Sequence, residues 1–150
     1  MVARSAADAL AAACEQAFPL EVVGFLVGAR HGDDMAASEF VLARGAAGGR
    51  GEFDIPDHEV SRIQAWAQDR RLHIVALVHS HPSGDSRLSE TDQAALRYSD
   101  WPWSVVTRVS RTGIEFAAYQ PGDAARLPCR VDWRFTFTDD ANPKVTNAPE

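Results

Sequence analysis

The chain is predicted to fold as an α/β domain, a three-layer sandwich in which a mixed β-sheet carries helices on its faces. Three observations predict it. Helical and strand-like patterns follow one another as helix, strands, helix, strand, helix, strands, the order from which layered α/β folds are built. Two runs, LEVVGFLVG at 20–28 and HIVALVHSH at 73–81, are apolar and rich in β-branched residues, as buried strands are. The 150 residues are 45% apolar and 24% charged, which supplies a real core for one domain and does not match a disordered chain.

The elements follow in order. Ser5 to Phe18 reads as a helix: Ser5 suits an N-cap, Leu10, Cys14 and Phe18 recur at four-residue spacing, and Pro19 ends the pattern. The strand Leu20–Gly28 and a second strand over Ala36–Leu42 flank turn-prone residues and form a hairpin pattern. The Gly-rich stretch from Gly45 to Glu52 lacks the GK[ST] of a phosphate loop and reads as a mobile connection. Pro56 opens a second helix through Arg71, with Val60, Ile63 and Ala67 on one stripe. After the strand at 73–81, Ser89 to Asp100 reads as a third helix, with Ala94, Ala95 and Tyr98 spaced for one face. WPWSVVTRVS and IEFAAYQ give two strands around Thr112-Gly113, and Cys129 to Phe137 a last one. The domain is placed at 1–138, and the polar, Pro-containing stretch 139–150 is read as a disordered tail.

Composition also sets what the protein does not do. A net charge of −6 with pI near 5.3 argues against nucleic acid and anionic membranes as partners. Cys14 and Cys129 have no CxxC neighbours, so they read as free thiols in a reducing compartment. No apolar run approaches the ~18 residues that cross a bilayer. The Ala-rich N-terminus is interrupted by Asp8 and Glu15 and reads as a helix rather than a signal, which points to the cytoplasm.

The chemistry concentrates in HSHPSGDSRLSETD, His79 to Asp92. Side chains alternate along a strand, so His79 and His81 share a face, about 6.6 Å apart along the chain. Pro82 and Gly84 end the strand, and Ser89-Glu90-Thr91-Asp92 has the S-x-x-[DE] pattern of a helix start. A helix starting directly after that turn brings Asp92 to both imidazoles. Two histidines, one carboxylate and an open fourth position describe a catalytic zinc site. The same 2-His-1-carboxylate set also serves Fe(II) oxygenases. His31, His58 and His73 have no neighbours at ligand spacing and read as structural. HExxH and the H-x-E with P-C-x-x-C pairing are both absent, so the base must come from elsewhere. Glu21, a carboxylate at the mouth of an apolar strand, is the candidate, with Gly24 and Gly28 permitting close backbone approach. Trp101 and Trp103 read as packing residues, Arg108 and Arg111 as a solvated face.

E-x-x-G-x-L-x-G at Glu21 to Gly28, followed by H-x-H-P-x6-S-x2-D at His79 to Asp92, resembles the JAMM, or MPN-plus, zinc metalloprotease family. The resemblance spans Ser5 to Gln120, and the short chain suits the compact prokaryotic type. It implies a cytidine-deaminase-like α/β sandwich, zinc held by His79, His81 and Asp92, Glu21 as general base, and Ser89 as oxyanion donor. It also implies a peptidase or isopeptidase whose partner is a small β-grasp protein, ubiquitin-like or sulfur carrier, ending in Gly-Gly. PSGD after His81 resembles the RadC-like branch as well, and a catalytically silent scaffold on the same fold is the alternative from another class.

Overall fold

The computed structural model describes residues 1–49, 52–110 and 113–132. The elements are β1 (Val2–Ala3), α1 (Arg4–Ala17), β2 (Val23–His31), β3 (Asp34–Leu42), β4 (Ala47–Gly49), β5 (Glu52–Asp54), α2 (Asp57–Asp69), β6 (His73–Ser80), α3 (Glu90–Leu96), β7 (Trp103–Ser110), β8 (Gly113–Tyr119), β9 (Arg126–Leu127) and β10 (Val131–Asp132). Eight strands form one mixed sheet in the order β10-β1-β3-β2-β6-β7-β8-β9. β6 lies centrally, antiparallel to β2 and parallel to β7.

The sheet is covered on both faces, because alternate residues of its central strands point to opposite sides. On one face α1 packs Ala6, Leu10 and Ala13 against Leu26, Phe40, Val78 and Val106. On the other, Ile63, Trp66 and Ala67 of α2 and Leu96 of α3 pack against Phe25, Val27, Val41, Leu77 and Val105. The helix–sheet–helix layering is the predicted sandwich. Gly24 and Gly28 do allow close approach: a Cβ on Gly24 meets the Val41 carbonyl and the Phe40 ring, and one on Gly28 meets the Ala36 carbonyl.

Several local expectations are corrected. Ser5 is not the N-cap. The chain enters α1 straight from strand β1 through Ala3, and the Ser5 hydroxyl donates to the Ser38 carbonyl at 3.2 Å. β2 begins at Val23, since the chain first turns off α1, with the Leu20 amide donating to the Ala17 carbonyl at 2.8 Å and Leu20 65% exposed. The Gly-rich segment is not a bare connection, since Ala47–Gly49 pairs with Glu52–Asp54 in a small hairpin. α3 ends at Leu96, and Ala94, Ala95 and Tyr98 face solvent. Its buried side is Asp92 and Leu96, a spacing of four residues that the alanines masked. Of the last predicted strand, Cys129 and Arg130 lie outside any strand and Val131–Asp132 pairs in parallel with β1; 133–137, the stretch 139–150 and the Arg108 and Arg111 side chains lie outside the described residues. Cys14 and Cys129 are free and half-buried. No described helix is long and apolar enough to cross a membrane.

Candidate metal centre

The centre is built where β6 ends. Val23 pairs with His79 across the sheet, and the His81 amide donates to the Val106 carbonyl at 2.9 Å, so the ladder holds both histidines in strand geometry. His79 is fully buried, packed by Phe53, Trp103 and the His81 ring at centroid distances of 5.0, 5.7 and 4.8 Å. Residues 82–88 turn the chain into α3, and Ser89 caps that helix in a reciprocal box. The Asp92 amide donates to Ser89 Oγ at 3.0 Å and the Ser89 amide to Asp92 Oδ2 at 2.8 Å. The box fixes Asp92 on the buried side of the first turn, facing both imidazoles.

Three potential ligand atoms converge. His79 Nε2 and His81 Nε2 are 3.0 Å apart, His79 Nε2 is 3.4 Å from Asp92 Oδ1, and His81 Nε2 is 3.4 Å from Asp92 Oδ2. Tetrahedral coordination at bond lengths of about 2.0–2.1 Å separates ligand atoms by about 3.3 Å. Each imidazole thus faces one oxygen of the Asp92 carboxylate at about that separation, the three ligand atoms lie within 4.8 Å of one another, and among the described residues this His-His-Asp group is the one cluster able to hold a metal ion. The tautomer of His81 also fits. Its Nδ1 lies 2.7 Å from the Asp85 carbonyl, which can only accept, so Nδ1 carries a proton, and in the neutral ring Nε2 is then the lone-pair nitrogen toward the cluster, while in the protonated ring it donates to Asp92. Among the described residues His79 Nδ1 is buried and has no hydrogen-bond partner, and three rings pack around that imidazole.

Electrostatics follow from the same contacts. Burial pushes the Asp92 carboxyl upward, but hydrogen bonds from His79, His81 and Ser89 and the nearby imidazole charge outweigh it and hold the carboxyl well below its ordinary range. Asp92 is thus a carboxylate, the form that ligates. The Asp92 hydrogen bond raises the His81 pKa against burial, and the Asp85 carbonyl and the Glu21 charge add to the rise.

Glu21 and Ser89 share one open cleft of about 880 Å³ with His81, Arg87 and Tyr119. Glu21 is half-buried in the segment before β2 rather than inside the strand. Its placement depends on Ser80, whose amide donates to the Val22 carbonyl and whose Oγ accepts from the Val22 amide, both at 2.8 Å. Ser89 presents a further fact. Its hydroxyl donates to Asp92 Oδ2 at 2.7 Å, so its one proton must turn toward the cleft before it reaches an oxyanion.

The sequence reading missed Phe53, Ser80 and Tyr119. The first was hidden behind a Gly-rich stretch, the second is a serine between two more conspicuous histidines, and the third sits at the end of an ordinary strand. Trp103 packs as expected, though its ring also walls His79. His31, His58 and His73 are exposed and outside the cluster.

Comparison with known proteins agrees with this geometry. The chain has the fold of a protein from Desulfitobacterium hafniense, at 17% identity and TM-score 0.74 over 88% of this chain and 93% of that one. A JAB1/MPN domain protein from Archaeoglobus fulgidus is similar at 17% identity and TM-score 0.58 over 87% and 95% of the two chains. A structure described as a metalloprotease-like JAMM zinc site in the proteasome and signalosome is similar at 16% identity and TM-score 0.50 over 87% and 95%. No curated protein matches the chain. The model of the prokaryotic homologs of the JAB domain matches residues 3–120, which takes in Glu21, both histidines, Ser89 and Asp92. With helices on both faces of the mixed sheet and the His-His-Asp cluster at the end of β6, the chain belongs to that family, the compact prokaryotic branch of the JAMM/MPN proteins.

Proposed function

We propose that the protein is a zinc-dependent peptidase or isopeptidase that cleaves at the C-terminal Gly-Gly of a small β-grasp protein, ubiquitin-like or sulfur carrier, in the cytoplasm. The observation that carries the reading is the triangle of His79 Nε2, His81 Nε2 and the Asp92 carboxylate at 3.0–3.4 Å beside a cleft that Glu21 and Ser89 also line. Family membership and the likeness to a JAMM-type zinc site support it.

His79, His81 and Asp92 would hold the ion. When bound, zinc lowers the pKa of water to about 7 and polarises a carbonyl. Glu21 accepts the proton of the attacking water on its carboxylate and returns it to the leaving amine. Ser89 Oγ–H turns from Asp92 toward the developing oxyanion, a donor of the kind that contributes ~10²–10³ in rate. The side of the cleft that carries Arg87 and Tyr119 receives the extended substrate tail.

The test is Glu21→Gln. Turnover of a β-grasp substrate extended beyond Gly-Gly is expected to fall at least ~10³-fold, near the upper range for a general base, while zinc stoichiometry by elemental analysis stays at the wild-type value. Turnover retained in the variant removes Glu21 from the mechanism. Iron in place of zinc in protein purified without added metal, with oxygen uptake, would replace the peptidase reading by an oxygenase one.

A further inference from the structure

The loop that joins the two halves of the triangle, residues 82–88, has no regular structure of its own, yet both ligand groups depend on it. It carries the Asp85 carbonyl that accepts from His81 Nδ1, and it delivers the chain to Ser89 and the Asp92 cap. Its internal ties are local. The Gly84 amide donates to the His81 carbonyl at 3.1 Å, Gly84 adopts φ +84, and the Asp85–Arg87 ion pair at 2.8 Å is largely exposed. An exposed pair of that kind contributes little. From across the sheet the Tyr119 hydroxyl, at the end of β8, donates to the Ser86 carbonyl at 2.8 Å. Tyr119 is 9% exposed, its ring packed in the core beside the cleft.

We infer that Tyr119 is a positioning residue for the metal centre: by holding Ser86 it fixes the neighbouring Asp85 carbonyl that sets the His81 tautomer, and so keeps His81 Nε2 directed at the ligand triangle. The Asp85 and Ser86 carbonyls belong to successive peptide planes that meet at the Ser86 Cα, so holding the second restrains the first through only the two Ser86 torsions. Without the hydroxyl the loop keeps its local bonds and the packing of Leu88, and loses the hydrogen bond that holds the Ser86 peptide to β8. The inference rests on the metal-site reading above. It does not require that the ion be zinc or that the substrate be a β-grasp protein.

The test is Tyr119→Phe, which removes one oxygen and leaves the packed ring, with Tyr98→Phe, at an 85% exposed tyrosine, as the comparison. Two readouts decide it. Zinc affinity of metal-stripped protein, by chelator competition, is expected to weaken about 10- to 100-fold in Tyr119→Phe, the range for outer contacts of ligating histidines, and to be unchanged in Tyr98→Phe. In the metal-free protein, NMR is expected to show the His81 Nδ1 proton exchanging with solvent about two- to tenfold faster in Tyr119→Phe, the factor that one lost hydrogen bond corresponds to. Wild-type affinity and wild-type exchange in Tyr119→Phe would overturn the inference. Failure of the wild-type protein to bind any metal would sink the metal-site reading instead, and the exchange measurement would still decide what Tyr119 holds.

Discussion

At the scale of single residues, Ser89 does more than its pattern implies. It caps α3 through the Asp92 amide, and it also donates its hydroxyl proton to the Asp92 carboxylate that faces the histidines. Loss of an N-cap costs about 0.5–2 kcal/mol. Ser89→Ala is therefore expected to lower stability by about that amount and to weaken zinc binding about tenfold or more, because Asp92 loses a bond that orients it. Ser89→Thr, which keeps the hydroxyl, is expected to restore both. Calorimetry and chelator competition on the three proteins check this, and an alanine variant with wild-type zinc affinity would confine Ser89 to the helix.

At the scale of elements, glycines set how closely β2 and β3 pack. β2 runs between β3 and β6, and its glycines let the neighbouring backbone and the Phe40 ring come closer than a side chain permits. A Cβ at Gly28 is driven into the Ala36 carbonyl and against the Ala37 Cα at 2.8 Å, both backbone atoms that cannot swing away. Gly28→Ala is expected to destabilise by about 1–3 kcal/mol, the usual cost of overpacking, measured as a lower urea midpoint at unchanged slope. An unchanged midpoint would mean that the two strands can part without loss. The alternation of β6 has the same kind of consequence. Leu77 and His79 join the α2 and α3 side, whereas Val78 and Ser80 join the α1 side, so one strand carries a metal ligand on one face and the anchor of the Glu21 segment on the other.

At the scale of the whole molecule, one buried carboxylate ties the helical layer to the sheet. Glu59, in the first turn of α2 and 3% exposed, accepts from Arg62 at 2.6 and 2.8 Å and from the Arg44 amide at 2.7 Å, just after β3. The Arg62 hydrogen bond, opposed by burial and helped by the Arg44 amide and both guanidinium charges, holds its carboxyl below the ordinary value. A group with a lowered folded pKa takes up its proton more readily in the unfolded chain. Its contribution is thus full above the ordinary carboxylate range, shrinks as pH falls below it, and is gone once pH passes the lowered folded value. Glu59→Gln is expected to cost about 1–3 kcal/mol at pH 7, where a charged hydrogen bond is lost, and progressively less as the solution is acidified. Urea denaturation across that range checks it, and a gap that stays constant with pH would show that the charge contributes nothing.

The sequence by itself determined the layered α/β class, the three helices, the strands β2, β3, β6, β7 and β8, and the identity of the cluster, while β1 and the β4–β5 hairpin went unread. It could do so because strand alternation puts His79 and His81 on one face, and because a helix signature four residues long ends on Asp92. Spacing along the chain is local information, and these features are local. Tertiary structure decided the rest. That the Glu21 segment lies against β6 follows from the pairing of Val22 with Ser80, 58 residues apart. That a phenylalanine from a Gly-rich hairpin walls His79, and that a tyrosine from β8 holds the loop between the ligands, follows from contacts across the sheet. The alanines of α3 misled the reading because short apolar side chains tolerate either face, and only the packing of Leu96 and Asp92 fixes which way that helix turns.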